Sequence, residues 1–403
     1  MTDVVIRPIT ADDDFDAQLD LGQRAFGIYS AQQKASWLYV ARLRAGQGLF
    51  LGAFVDGAPA GAAMLHDMWQ YWLGHPVGCA GVASVKVAPE HRGRGIGRTL
   101  MTELLNLIAE RGYPLSALYP ATMPIYRSLG WELAGAKHKF RIPARSLRGL
   151  AEPDASARGA GAGHQDVALR RAGPADAATV IKVIGESHRT AHHAGPLTWD
   201  EAPAGRWLGR EDLYSYLAGD DGFAAYRWDG GDLWVERVHA STPQSLRALW
   251  SVIASHSSTA DDVRGWTGPD DPFWWLTGER DATITYRSMW MLRVVDAGAA
   301  IAVRGFPPGL SVDVALEIHD RARPANAGHW RLTVADGKGG LTPNGSVPSR
   351  PALTLGPRGV AALYAGTPVA TLRLAGLASG GTPGADASLN AAFAATPYMV
   401  DDF

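Results

Sequence analysis

The stretch Val85-Lys86-Val87-Ala88-Pro89-Glu90-His91-Arg92-Gly93-Arg94-Gly95-Ile96-Gly97-Arg98 constrains this chain more than any other. Alternating β-branched residues predict a strand ending near Val87, followed by a tight basic turn. The stripe Leu100, Met101, Leu104, Leu105 and Ile108 then predicts an amphipathic helix over Arg98–Arg111, stopped by Gly112. A strand that turns into a helix through three glycines exposes backbone N–H groups with no Cβ in front of them, backed by the positive end of the helix. A pyrophosphate needs that arrangement, and Arg92, Arg94 and Arg98 supply counter-charge, including for a further phosphate. The spacing is neither G-x-G-x-x-G nor Gly-Lys-Ser/Thr, so Rossmann and P-loop readings fail.

Around this loop the pattern is that of a mixed domain. Val4–Arg7 reads as a strand, and Thr10 or an early Asp caps a helix over Asp16–Phe26. A second helix is predicted over Ala31–Arg44, then a hairpin of Leu49–Val55 and Ala60–Leu65 turning at Asp56-Gly57. The strand Val82–Val87 enters the loop, and Leu115–Tyr119 follows the long helix. Between about Leu150 and Asp166 the composition changes to Ala, Gly, Ser and Pro, which predicts a flexible linker. Beyond it, Val167-Ala-Leu-Arg170 with Gly173-Pro-Ala-Asp176 echoes Val4-Val5-Ile6-Arg7 with Thr10-Ala-Asp-Asp13, which suggests a duplicated domain. The copy has Val238-His-Ala-Ser-Thr-Pro243-Gln-Ser-Leu246-Arg247 where the glycine loop should be, so one pyrophosphate site is expected per chain. From about Ala299, Gly and Pro turns with strands such as Leu316–Ile318 and Trp330–Val334 indicate a separate α+β domain.

At 403 residues the chain exceeds one ordinary core. With 46% apolar and 19% charged residues it reads as soluble and globular. A formal charge of -2 provides no global attraction to nucleic acid or an anionic membrane, so neither partner is expected. The start, Met1 to Phe15, lacks the apolar run of a secretory signal, and no stretch of about 18 apolar residues exists to span a bilayer. Cys79 is the only cysteine, which with the missing signal fits a cytoplasmic setting. His192 and His193 are adjacent and diverge, and no HExxH spacing occurs, so no metal is expected.

Arg92-x-x-Gly95-x-Gly97 after a Val-x-Val strand resembles motif A of the GCN5-related N-acetyltransferases (GNAT), and Tyr119-Pro-Ala-Thr-Met-Pro-Ile-Tyr126-Arg-Ser-Leu-Gly130-Trp131 resembles motif B. The resemblance implies acetyl-CoA as co-substrate, without a metal. Val85, Lys86 and Val87 would meet the pantetheine arm. Arg92, Gly93, Arg94, Gly95, Ile96, Gly97 and Arg98 would grip the pyrophosphate, and Ala121 and Thr122 would touch the molecule again. Acetyl transfer needs an amine freed of its proton and a proton donor for the departing thiolate. The resemblance assigns the second role to Tyr126, which by pattern alone could also be a packed core aromatic.

The two motifs, a cryptic second domain and the segment Gly359-Val-Ala-Ala-Leu-Tyr364-Ala-Gly-Thr-Pro368 together resemble the Eis (enhanced intracellular survival) acetyltransferases over nearly the whole chain. The implied fold is α+β, with tandem GNAT folds, N-terminal catalytic and central degenerate, and a C-terminal sterol-carrier-protein-like domain. The boundaries are 1–150 for the catalytic domain, 151–165 for the linker, 166–296 for the degenerate domain and 297–403 for the third. The family implies that the α-carboxylate of Phe403 enters the site as the base, although a terminus is ordinarily frayed. It implies direct transfer to a primary amine (an aminoglycoside, a small amine or a lysine) and a homohexamer. Phe26, Trp37, Trp69, Trp72 and Trp199 are candidate walls for that amine, and Asp401 and Asp402 candidate partners for its charge. Tyr119 and Met123 depart from what drug-acetylating members would carry, so the pocket shape is open. The alternative is a non-catalytic lipid-binding or scaffolding protein with a vestigial transferase, which the intact loop and Tyr126 oppose.

Overall fold

The computed structural model describes residues 4–151, 167–278, 280–344 and 351–403. The linker expected at 151–165 lies, Ala151 apart, outside the described residues. The first unit runs β1 (Val4–Pro8), α1 (Phe15–Phe26), α2 (Ala31–Gly46), β2 (Phe50–Val55), β3 (Ala58–Trp72), β4 (His75–Val87), α3 (Ile96–Glu110), β5 (Leu115–Leu118), α4 (Pro124–Ser128), β6 (Glu132–Pro143) and α5 (Arg148–Ala151). The second runs β7 (Leu169–Arg171), α6 (Ala177–Thr190), α7 (Glu201–Leu208), β8 (Tyr214–Ala218), β9 (Gly222–Asp229), β10 (Asp232–Ala240), α8 (Pro243–Ala254), β11 (Asp262–Thr267), α9 (Phe273–Leu276) and β12 (Thr283–Val294). The third comprises α10 (Ala297–Val303), β13 (Val312–Ile318), β14 (Gly328–Ala335), β15 (Lys338–Pro343), β16 (Leu353–Leu355), α11 (Pro357–Tyr364), α12 (Val369–Leu374), β17 (Ala378–Gly380) and α13 (Pro383–Ala392). No helix among the described residues is long and apolar enough to cross a membrane.

Local chemistry accounts for these elements. Asp14 caps α1 by accepting from the amides of Asp16 and Ala17, and Ser30 with Gln33 forms a reciprocal capping box at α2. The stripe of α3 packs its Leu100, Met101, Leu104, Leu105 and Ile108 on Ala63, Leu65, Ala80 and Val82 of one sheet face. Phe15 and Ala41 of α1 and α2 cover Phe50 and Met64 on the other, as alternation along a strand requires. The β3–β4 hairpin is longer than its predicted strands because its far half is buried under the second unit. There the Tyr71 amide donates to Pro196 O and Gln70 bridges Leu197. Trp72, a candidate wall by sequence, is fully buried there, edge-on to Trp290 and Tyr364, and belongs to the core.

The units cannot be separated at the sheet. Twelve strands form one sheet in the order β1-β2-β3-β4-β5-β12-β6-β11-β10-β9-β8-β7. Strand β12, last of the second unit, lies antiparallel between β5 and β6 of the first, while β6 pairs on its other edge with β11. Each half thus closes the other by giving up its final strand. The third unit is a five-stranded sheet, β15-β14-β13-β16-β17, with helices. Its Ile301, Leu316, Tyr364 and Phe393 share one apolar core with Trp72, Cys79, Leu115 and Leu292 of the large sheet.

Strand exchange predicts that residues 1–150 expressed alone remain unfolded, because β5 and β6 would each present an unpaired edge. Co-expression with 151–403 should restore the native circular dichroism and a complex on gel filtration. An autonomous, monomeric 1–150 fragment would overturn this reading.

Candidate active site

Strand β4 pairs with β5 in parallel only at Cys79–Leu115, Ala80–Ser116 and Gly81–Ala117; beyond Gly81 the two strands part. On its other edge the register with β3 slips between Met64↔Ala83 and Ala62↔Lys86, and Ser84 takes a left-handed φ of 52°. This bulge turns the end of β4 and opens a wedge whose walls carry Val85 and Val87, both half-buried. Lys86 does not face the wedge. Its side chain is buried on the α1 side, with Nζ donating to Gln18 O at 2.7 Å and lying 4.5 Å from the Trp37 ring centre. Burial depresses its pKa to about 7. Any cofactor contact at this position therefore runs through the Lys86 backbone.

After the wedge, Gly93 and Gly95 adopt φ of 77° and 83°, and a Cβ built at either would meet nothing within 4 Å. Gly95 is the N-cap of α3, whose first turn has no side-chain cap. Arg92, Arg94 and Arg98 are exposed around it, and Ile96 is buried beneath. Open space before uncapped amides at a helix N-terminus, ringed by guanidinium groups, fits the pyrophosphate of acetyl-CoA. Gly97 serves packing: a Cβ there would lie 3.2 Å from Ile125 Cδ1 and 3.3 Å from Val87 Cγ2. Ala121 and Thr122 are exposed in the loop between β5 and α4.

Tyr126 sits on the single turn of α4, 6% exposed, and burial raises its pKa, so its hydroxyl keeps its proton at neutral pH. Its carbonyl accepts from the amides of Leu129 and Trp131, a turn that requires Gly130 at φ 95°. This turn is braced from outside the first unit. Arg293 of β12 donates Nε to Leu129 O at 3.0 Å, and its Nη2 pairs with Asp320 at 2.5 Å, both side chains 1% exposed. Glu132 is held by Arg127 at 2.7 Å and by Arg358 of α11 at 2.6 Å.

The C-terminal segment enters the same region from the third unit. The Ala136 amide donates to Pro397 O, and the Tyr398 amide to Ala194 O at 3.0 Å. Gly135, Gly195 and Gly268 line its course, and at each a Cβ would collide with Pro397 or Tyr398. The Tyr119 hydroxyl donates to Met399 O at 2.6 Å and lies 3.0 Å from Asp401 O. Asp401 is buried; burial would raise its pKa, yet Arg237, the Leu197 amide and the Trp199 indole hold it below the usual carboxylate range. Asp402, a candidate for the acceptor's charge, is engaged by Lys137 Nζ at 2.5 Å.

Phe403 ends against β4 where the strands part. A Cβ on Gly81 would lie 2.7 Å from its ring, and His66 and Tyr119 flank it with ring centres 6.1 and 5.9 Å away. It closes a cleft of about 380 Å³ lined by Tyr29, Trp37, Met64, His66 and Ser84. Burial, then Arg44, depresses His66 to about 4, so the imidazole is neutral. The buried indole N–H of Trp37 has no hydrogen-bond partner among the described residues. Phe26 and Trp69 are half exposed, and neither is among the lining residues of this cleft. Trp199 lies apart from it, in a second cleft of about 560 Å³ with Trp207 and Trp234.

His66, Ser84, Lys137 and Arg237 carry no local sequence signal, since each acquires its role from a distant segment. Tyr119 did carry one, as a departure from the family pattern. Among the described residues no three His, Cys, Asp or Glu side chains are grouped to hold a metal. Among the described residues, a cavity of about 30 Å³ lies between Val294, Ile301, Leu316 and Phe393, too small for a sterol.

Comparison with known proteins gives the family and the fold. Family profiles described as acetyltransferase (GNAT) domains match residues 5–134 and again 195–294, and a sterol carrier protein domain matches 297–400. The N-acetyltransferase Eis of Mycobacterium tuberculosis is 32% identical over 283 residues, 66% of this chain; the aligned region spans 65% of that relative's length. A GCN5-related N-acetyltransferase from Kribbella flavida superposes with a TM-score of 0.91 at 41% identity, covering 100% of this chain and 99% of that one. One from Anabaena variabilis gives 0.84 at 26% identity, covering both chains in full.

Two outcomes follow. Lys86→Met should leave the acetyl-CoA dissociation constant within about twofold, because this side chain faces α1; calorimetry showing a tenfold loss would return Lys86 to the wedge. His188 is buried and His193 and His239 are partly buried; all three are held neutral, depressed chiefly by desolvation, His193 to about 4 and His239 to about 3 from 6.5. As pH falls below 6.5 the unfolded chain binds protons that the fold refuses, so stability drops toward about 4 and is unaffected by these groups above 6.5. The melting midpoint should fall from pH 6.5 to 5, less steeply in His193→Gln; equal slopes would exclude this group.

Proposed function

Since the chain belongs to the GCN5-related N-acetyltransferases and is a homologue of the Eis enzymes, we propose that it transfers the acetyl group of acetyl-CoA directly to a primary amine, with Tyr126 as general acid and the α-carboxylate of Phe403 as base. The observation that carries this reading is the end of the chain held at the parting of β4 and β5, where a thioester lying in the wedge would terminate. Acetyl-CoA supplies the activated acyl group when bound. The exposed amides after Gly93 would hold its pyrophosphate, with Arg92, Arg94 and Arg98 as counter-charge. The Phe403 carboxylate would take the proton of the incoming amine, and the Tyr126 hydroxyl, kept protonated by burial, would give one to the departing sulfur.

The cleft beside Phe403 supports an amine with an apolar or aromatic body, since Trp37, Met64 and Tyr29 line it and His66 is uncharged. Aminoglycosides and lysine side chains are the other candidates by family resemblance. A lipid-carrier role has no support from a cavity of about 30 Å³.

The test is release of CoA thiol with phenylethylamine, kanamycin and a lysine peptide. Tyr126→Phe should lower turnover by about 10²-fold or more while acetyl-CoA affinity is kept; wild-type rates across the pH range would remove Tyr126 from the mechanism. A short C-terminal tag converts the Phe403 carboxylate to a neutral amide and should be as damaging, whereas an N-terminal tag should not. Equal activity of the two tagged proteins would exclude the terminal carboxylate.

A further inference from the structure

The second unit retains the architecture of a wedge without the means to bind a phosphate there. Strand β10 pairs with β11 in parallel only at Leu233–Val263, Trp234–Arg264 and Val235–Gly265, and its register with β9 slips between Val235 and Arg237. Both features repeat β4. The helix that follows, α8, has its first turn closed by its own residues: Thr242 accepts from the Ser245 amide, and Pro243 offers no N–H. What the bulge presents instead is Arg237. Its Nη2 donates to Asp401 Oδ1 at 2.9 Å, its Nη1 to Glu236 O at 2.7 Å, and its guanidinium lies 5.5 Å from the Trp199 ring centre.

Asp401 is then gripped from the second unit on both oxygens. The Leu197 amide donates to Oδ2 at 3.1 Å, and the Trp199 indole to Oδ1 at 3.2 Å. The Arg237 and Asp401 side chains are 14% and 10% exposed, so the pair is nearly desolvated and is worth more than an ion pair in water. Two residues separate this grip from the end of the chain. At about 3.5 Å per residue, a fixed Asp401 confines the terminal carboxylate to within about 7 Å, and loss of the grip frees a longer tail. The first unit adds contacts of its own, among them the Tyr119 hydroxyl on the Met399 and Asp401 carbonyls and Lys137 on the exposed Asp402.

We infer that Arg237 is a positioning residue for acetyl transfer: the second unit, through the bulge of its disused wedge, fixes Asp401 and thereby aims the carboxylate of Phe403. This rests on the reading of that carboxylate as the base. A proton transfer tolerates little displacement, since donor and acceptor must come within hydrogen-bond reach. Arg237 itself faces the buried Asp401 and makes no contact with the candidate cofactor loop, so its effect should fall on turnover and not on acetyl-CoA.

The test is a double-mutant cycle in the full chain between Arg237→Ala and deletion of Phe403, assayed with whichever of phenylethylamine, kanamycin or the lysine peptide gives the highest wild-type rate. Arg237→Ala should lower kcat about tenfold or more and leave the acetyl-CoA KM within about twofold, with Arg237→Lys intermediate. In the Phe403-deleted chain Arg237→Ala should add nothing, because the two act as one unit. Independently of any acceptor, carboxypeptidase Y should release Phe403 at least about fivefold faster from Arg237→Ala than from wild type. Asp401→Asn, which keeps the side-chain shape, repeats the measurement if Arg237→Ala does not fold. If deletion of Phe403 abolishes turnover and Arg237→Ala does not lower it, the positioning role is wrong and the terminal base stands. Losses that multiply in the double variant also overturn it, since Arg237 would then act through the general fold. Wild-type turnover after deletion of Phe403 would instead remove the base, and with it the premise.

Discussion

Exchange of the last strand between the two halves of the large sheet is the constraint on which the rest of the molecule depends. Backbone N–H and C=O groups on a buried strand edge must find partners. The outer edge of β5 finds them on β12, and β6 finds them on β11 and β12. A wedge between β4 and β5 can open only if β5 is held from its other side, and the strand that holds it is encoded after residue 280. The first unit therefore contains the candidate cofactor loop and the candidate acid without being a complete fold. Its degenerate partner is a structural necessity before any question of chemistry arises.

The same dependence extends to the third unit. Its Asp320 neutralises Arg293, which reaches the carbonyl of Leu129 and fixes the turn behind Tyr126. A buried pair of this kind is costly to break, because removal of either partner strands a charge in the core. Arg358, itself partly exposed, shares the buried Glu132 with Arg127. This unit acts as a brace and as the origin of the C-terminal segment. That segment runs along a channel floored by glycines, at each of which a side chain would collide with Pro397 or Tyr398, and ends at the wedge. Each of the three units thus contributes a fixed point to one small region.

Much of the site was legible because its signals are local. The loop from Arg92 to Arg98 needs glycines for its left-handed turns and a helix directly behind it, and both are adjacent in sequence. Helix α1 announced itself through an acidic N-cap and α3 through its apolar stripe. The sequence was silent where the partner of a side chain comes from elsewhere. Lys86 lies between two wedge residues, yet alternation along the strand sends it to the opposite face, under α1. Trp72 has the composition of a pocket wall, but the hairpin carries it beneath the second and third units. Tyr119 looked out of place until the tail was laid across it, with its hydroxyl on Met399. Asp402 offered a charge for an amine and is paired with Lys137.

By itself the amino-acid sequence determined the glycine turns of the candidate loop, the helix behind it, the tyrosine on its short helix and the recurrence of one fold along the chain. Those properties depend on residue type, spacing and periodicity within a few turns of chain, where covalent connection already ensures proximity. Only the tertiary structure decided which strand completes which half, which carboxylates are spent on Arg237 and Lys137, and where the last residue lies. These depend on contacts between segments separated by one to three hundred residues. Side-chain chemistry permits many such pairings, and burial of a continuous sheet with every edge satisfied selects among them.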